Sequence, residues 1–130
     1  MKKTGHLIAI SIVLILSSCA SKLTPEEVTR EFINAMADGE CEKALELTVD
    51  KAKETVETHM ETGCDREFVE IQNLTCEPPV DGTIQCNCTE VRTDKKQNLS
   101  YSLKEVDGEW KVANLSKDVD MRNFKIGNKK

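Results

Sequence analysis

The stretch TPEEVTREFINAMADGECEKALELT, residues 24–48, specifies one helix from end to end and opens a second. Thr24 is placed to cap. Pro25 suits the first helical position, where an N–H would have no partner, and Glu27 completes a capping box. Leu23 and Val28 have the spacing of a hydrophobic staple. Val28, Phe32, Ile33, Ala35 and Met36 recur at helical spacing and make one apolar face, and Asp38-Gly39 supplies a glycine stop. A second, shorter helix is predicted from Cys41 to about Val49, with Ala44, Leu45 and Thr48 on its buried side.

Downstream, Asp50 is predicted to cap a third helix in which Ala52, Val56 and Met60 recur every four residues until Gly63 stops it. Lys51, Lys53, Glu54, Glu57 and Glu61 then form a solvated face. From Glu67 the period changes. Residues 67–76 are rich in Phe, Val and Ile, Pro78-Pro79-Val80-Asp81-Gly82 is a turn, residues 83–93 alternate, Asp94-Lys95-Lys96 is a turn, and residues 98–106 alternate again. Asp107-Gly108 joins this last run to Glu109-Trp110-Lys111-Val112-Ala113 through a hairpin signal. Three helices followed by a four-stranded antiparallel meander is an α+β arrangement. Phe32, Phe68 and Trp110 hold core positions, and Tyr101 belongs to the core or to a pocket. Residues 118–130 form a tail expected to fray.

Upstream, Met1-Lys2-Lys3 is followed by an aliphatic run from Leu7 to Leu16 broken only by Ser11, about half the ~20 residues a spanning helix needs. That is an export signal. Leu16-Ser17-Ser18-Cys19 resembles the bacterial lipobox. The resemblance implies cleavage between Ser18 and Cys19, removal of residues 1–18, and a diacylglycerol thioether on Cys19. The alternative is an ordinary secretory signal cut near Ala20. Each buried methylene of an acyl chain contributes about 0.8 kcal/mol, so two or three chains anchor a domain stably. Residues 19–23 form a lipidated tether, and the four residues from Ala20 to Leu23 reach only ~14 Å, which keeps the domain close to the bilayer. Ala20 after the cysteine, in place of Asp, resembles outer-membrane sorting in some Gram-negative bacteria and, in a Gram-negative cell, implies a periplasm-facing protein.

Removing residues 1–18 leaves 112 of the 130 residues, enough for one domain. Loss of Lys2 and Lys3 lowers Lys+Arg from 18 to 16 against 23 acidic residues, so the net charge goes from −5 to −7. Such a chain lacks the basic face that nucleic acid requires. With Cys19 acylated, five cysteines remain: Cys41, Cys64, Cys76, Cys86 and Cys88. In an oxidising compartment they allow at most two disulfides and leave one thiol over. Cys76 and Cys86 flank the Pro-Pro-Val-Asp-Gly turn, so a cross-strand link from Cys76 to Cys86 or to Cys88 is expected. Cys41 and Cys64 bound the second and third helices, and a bond between them would staple that pair.

Little in the chain carries chemistry. His59 is the only histidine after the leader, and on a partly apolar helix face it reads as a rim or core residue rather than a base or ligand. Cys86-Asn87-Cys88 lacks the spacing of a zinc knuckle, and no metal is expected. As a redox pair it competes with a plainer reading, two strand residues at i and i+2 on one face, too far apart to bridge each other. No glycine-rich phosphate loop and no nucleophile with its base is present, and no cofactor is implied. Four Asn-x-Ser/Thr triplets, at Asn73, Asn87, Asn98 and Asn114, would be glycosylation acceptors in a eukaryotic secreted protein, but the lipobox resemblance favours the plainer reading of polar alternation on exposed strand faces.

Residues 24–48 and VDGEWKVANL, residues 106–115, resemble small bacterial lipoproteins of the nuclear-transport-factor-2-like superfamily. The resemblance implies that residues 24–117 form one α+β domain whose curved sheet wraps the first helix into a cone. Its mouth would admit a small molecule. With the cysteine spacing, three functional expectations stand. The first is a non-catalytic, membrane-tethered envelope domain that binds a small molecule or a protein partner. The second is an isomerase- or dehydratase-like enzyme using the cone, although no residue here matches such a site. The third is a thiol-redox protein using Cys86 and Cys88.

Overall fold

Residues 22–117 are described by a computed structural model. The segment expected to be a leader, the expected cleavage between Ser18 and Cys19, the expected acylation of Cys19 and residues 118–130 lie outside the described residues. The capping box and the glycine stop of α1 act as the sequence specifies. In α1, Pro25–Ala37, Thr24 Oγ1 accepts from the Glu27 N–H at 3.2 Å while the Glu27 carboxylate accepts from the Thr24 N–H at 2.8 Å. Val28, Phe32, Ile33 and Ala35 are buried along one face, and the buried Thr29 hydroxyl donates to the Pro25 carbonyl at 2.8 Å. At the other end the Glu40 N–H reaches Ala35 O at 2.8 Å and the Gly39 N–H reaches Met36 O at 3.3 Å, a Schellman closure that needs Gly39 at φ +75°.

The second helix, α2, spans Cys41–Glu46 and stops earlier than its pattern predicts. The residues that follow are taken by the sheet: the Val112 N–H donates to Leu47 O and the Val49 N–H to Val112 O, so Thr48 runs parallel to the last strand for one bridge. This contact also covers part of a sheet edge that would otherwise be open. Helix α3 spans Asp50–Thr62 with Val49, not Asp50, at the cap position; Asp50 is the first helical residue, and its carboxylate pairs with Lys104. Ala52 and Val56 are buried, but Met60 is 37% exposed, so the apolar stripe of α3 ends one turn short of the prediction.

Strands β1 (Glu70–Cys76), β2 (Thr83–Val91), β3 (Lys96–Val106) and β4 (Glu109–Lys117) form an antiparallel meander in the order β1-β2-β3-β4. The fold is therefore α+β, three helices followed by the four-stranded sheet. Asp81-Gly82 and Asp107-Gly108 both take positive φ at each residue, the two-residue turn whose twist matches the flanking strands. Helix α1 touches β1 and β4, the two outermost strands, as well as β2, so the sheet curls around it. Bulges interrupt β1 at Asn73-Leu74 and β4 at Ala113, and such insertions sharpen strand bending.

Phe68 does not join the core; it is 66% exposed. Strand β1 begins at Glu70, and Val69 and Ile71 are the side chains packed inward, so strand alternation turns Phe68 away. Phe32 is buried and Trp110 is half-buried against the core. Burial of a side chain such as Phe32 contributes about 1.5–3 kcal/mol.

Gly39 also lies under the α3–β1 connection, where a Cβ would come within 2.6 Å of the Cys64 carbonyl oxygen. A Gly39→Ala variant is expected to lose about 2 kcal/mol or more, from the left-handed backbone and that contact together, measured by urea denaturation with disulfides intact. A loss below ~0.5 kcal/mol would contradict this account.

Candidate functional site

Along β2 the inward positions are Ile84, Cys86, Cys88 and Glu90, all buried. The series is apolar until its last member. Glu90 is 2% exposed, and a carboxylate so placed must be paired and hydrogen-bonded to remain there. Tyr101, inward on β3, donates its hydroxyl to Glu90 Oε2 at 2.8 Å, and Arg92, just past the end of β2, donates Nη2 to Glu90 Oε1 at 3.0 Å. The other terminal nitrogen of Arg92, Nη1, pairs with Glu67 from the α3–β1 connection. Phe32 of α1 meets the Tyr101 ring edge-on, with centroids 6.0 Å apart at 81°, an arrangement favoured by the ring quadrupoles.

The cluster forms the polar side of a cavity of ≈ 330 Å³ at the end of the sheet where β2 turns into β3. Its apolar wall is Phe32, Ile33 and Met36 from α1, Leu99 from β3 and Leu115 from β4. Leu115 arrives there because the bulge at Ala113 resets the parity of β4 and brings Leu115 opposite Tyr101. Thr55 and His59 of α3, Lys95 and Gln97 complete the lining. This volume lies at the small end of ligand pockets, which combine apolar walls with a few fixed polar groups in the same way. A wider depression of ≈ 520 Å³, over α3 and Asn114, is open and lined by surface side chains.

Burial pushes the Tyr101 hydroxyl well above its ordinary value, with the Glu90 charge and hydrogen bond adding to the effect, so the phenol acts as a donor. Burial acts to lower Arg92, but Glu67 and Glu90 outweigh it and keep the guanidinium charged. Both Glu90 oxygens are occupied by these partners. The arrangement can orient a bound molecule and offer it charge and hydrogen bonds.

The other residues singled out from sequence fall as follows. Cys41 is bonded to Cys64, joining the start of α2 to the chain just beyond α3. Cys76 is bonded to Cys86, its direct cross-strand partner, with Cα atoms 4.0 Å apart, which decides between the two partners the turn allowed. Cys88 is free and buried on the same face as Cys86. Burial and then the Glu90 charge push its thiol from 9.0 up to about 11. His59 is half-buried at the cavity, and Tyr101 serves both core and cavity. Asn87 and Asn98 lie at outward positions of β2 and β3, where Asn98 accepts from the Thr89 hydroxyl at 2.8 Å. Among the described residues no three His, Cys, Asp or Glu side chains gather as a metal site would require.

Glu90, Arg92 and Glu67 escape the sequence reading. The available signal was parity: once Ile84, Cys86 and Cys88 define the inward face of β2, an acid at position 90 falls on that face and demands a partner.

Arg92→Gln strips the buried Glu90 of its counter-charge and is expected to cost about 3 kcal/mol, while Glu90→Gln with Arg92→Gln recovers most of that loss. Chemical denaturation of the three proteins measures both quantities. Native Cys88 is expected to react with iodoacetamide roughly 100-fold more slowly than an ordinary thiol at pH 8. Because the folded thiol holds its proton more tightly, its rate keeps rising toward pH 11 instead of levelling near pH 9, as stopped labelling and mass spectrometry would record.

Neither a protein-family model nor a curated protein sequence matches the chain. Among solved structures, the chain is similar to an NTF2-like protein of unknown function from Cytophaga hutchinsonii ATCC 33406, at 11% sequence identity and a TM-score of 0.49, over 80% of this chain and 98% of that one.

Proposed function

We propose that the protein is a cell-envelope lipoprotein, held at the membrane by acyl chains on Cys19, whose α+β domain binds a small molecule in the cavity between α1 and the sheet without transforming it. The observation that carries the binding reading is the buried Glu90, oriented by Tyr101 and Arg92 at the polar side of a cavity that also has an apolar wall. Stability alone does not account for a carboxylate at this position, since replacing a buried ion pair by apolar residues of similar volume is often neutral or stabilising. The non-catalytic reading is supported by the engagement of both Glu90 oxygens, which leaves the carboxylate poorly placed to take a proton from substrate. Cys88 is equally unsuited to redox exchange, because attack needs a thiolate and burial favours the thiol.

Export is supported by the two disulfides, which persist in oxidising compartments. Among the described residues no helix is long and apolar enough to cross a membrane, so membrane attachment rests on the sequence resemblance around Cys19.

Two measurements test this proposal. Intact mass spectrometry of the membrane-extracted protein should show a chain beginning at Cys19 with acyl mass, and a gain on reduction equal to opening two disulfides; a full-length, unacylated chain would overturn the anchor. A fragment screen by NMR should place its shifts at Leu99, Tyr101 and Leu115, and Ile33→Trp, which fills the cavity, should abolish them. Shifts located elsewhere and unaffected by that variant would overturn the binding site.

A further inference from the structure

The two ion pairs of Arg92 differ in what surrounds them. The Glu90 side chain is 3% exposed and anchored at both oxygens, whereas the Glu67 side chain is 50% exposed. An ion pair with one partner half in water contributes little, because water competes for the charge. Glu67 is thus the exchangeable member, and Arg92 keeps a further buried donor, Nε, that has no acceptor among the described residues.

Charge points the same way. With Glu67 in place, Arg92 and Lys95 at the cavity balance Glu67 and Glu90. If Glu67 swings into solvent, Arg92 and Lys95 face Glu90 alone, an excess of one positive charge. Lys95 forms no ion pair among the described residues. The apolar wall of Phe32, Ile33, Met36, Leu99 and Leu115 lies beyond this charged rim.

We propose that the cavity takes an amphiphilic monocarboxylate whose carboxylate replaces that of Glu67 on the Arg92 guanidinium while its apolar body lies against the α1 wall. This rests on the binding function proposed above and adds the ligand class and the way the site is kept closed. Glu67 is an internal stand-in: planar, singly charged, and matched to the guanidinium fork as the ligand head would be. Its segment is pinned rather than loose. The Glu67 N–H donates to Ala37 O at 2.8 Å, and Cys64, three residues earlier, is bonded to Cys41. The backbone can therefore stay while the Glu67 side chain rotates out, which makes the exchange a side-chain event.

Calorimetric titration of the full mature domain with octanoate, octanol and octylamine tests the proposal. Octanoate is expected to bind at least about tenfold more tightly than octanol, and octylamine more weakly still. Glu67→Ala should tighten octanoate roughly fivefold, the size of effect a half-exposed ion pair can exert. The paired Glu90→Gln, Arg92→Gln variant, which leaves no unpaired buried charge, should weaken octanoate at least about tenfold with thermal unfolding still cooperative. Octanol binding as tightly as octanoate, or octanoate affinity unchanged in Glu67→Ala, would overturn the carboxylate exchange and leave small-molecule binding intact. Absence of binding by all three probes, together with fragment shifts that avoid the cavity, would overturn both.

Discussion

Burial of α1 against a sheet of only four strands is the constraint on which the rest of the structure depends. The helix presents a wide face through Val28, Phe32, Ile33 and Ala35, and a flat sheet would cover that face along one line only. Here the sheet curls until its two outermost strands both reach α1. The bulges at Asn73-Leu74 and Ala113 assist, since each sharpens bending where pairing would otherwise hold a strand straight. The cavity lies at the end of the sheet carrying the β2–β3 turn. The cavity follows from the packing of one helix.

Placing a carboxylate at that end imposes further requirements. Glu90 sits at the last inward position of β2, where the core gives way to the cavity. Its pairing with Arg92 and Tyr101 couples the end of one strand to the middle of the next and, through the Phe32 ring, to α1. Arg92 then extends the network to Glu67, across a connection held by a disulfide and by the backbone bond to Ala37. The low dielectric that makes an unpaired charge costly here also gives the fully paired cluster its rigidity.

The cysteines divide by the same geometry. Cys76 and Cys86 meet because they are directly opposed across the hairpin, while Cys88 faces the β1 bulge, where Asn73 and Leu74 take the place of a single partner. The free thiol is thus a consequence of register. Its burial keeps it protonated and out of exchange with the neighbouring disulfide.

Much of the fold was legible from local signals because local interactions decide it. The Thr24-Glu27 capping box, the Gly39 stop and the Asp107-Gly108 turn concern groups only a few residues apart, and each took the form its residues specify. The α+β order followed from the change of hydrophobic period after Gly63. Where distant segments compete for the same groups, sequence could not decide. Helix α2 stopped at Glu46 because Val112, over sixty positions away, captured the backbone of Leu47 and Val49. Phe68 and Met60 were left exposed by strand parity and by the extent of the sheet, neither visible in their own neighbourhoods. The sequence by itself thus determined the elements, their order and a set of cysteines able to form two bonds. Tertiary structure alone decided that Cys76 bonds to Cys86 rather than Cys88 and that Glu67, Glu90, Arg92 and Tyr101 meet beside a cavity, because pairing across as many as 25 positions depends on register and curvature rather than on any local pattern.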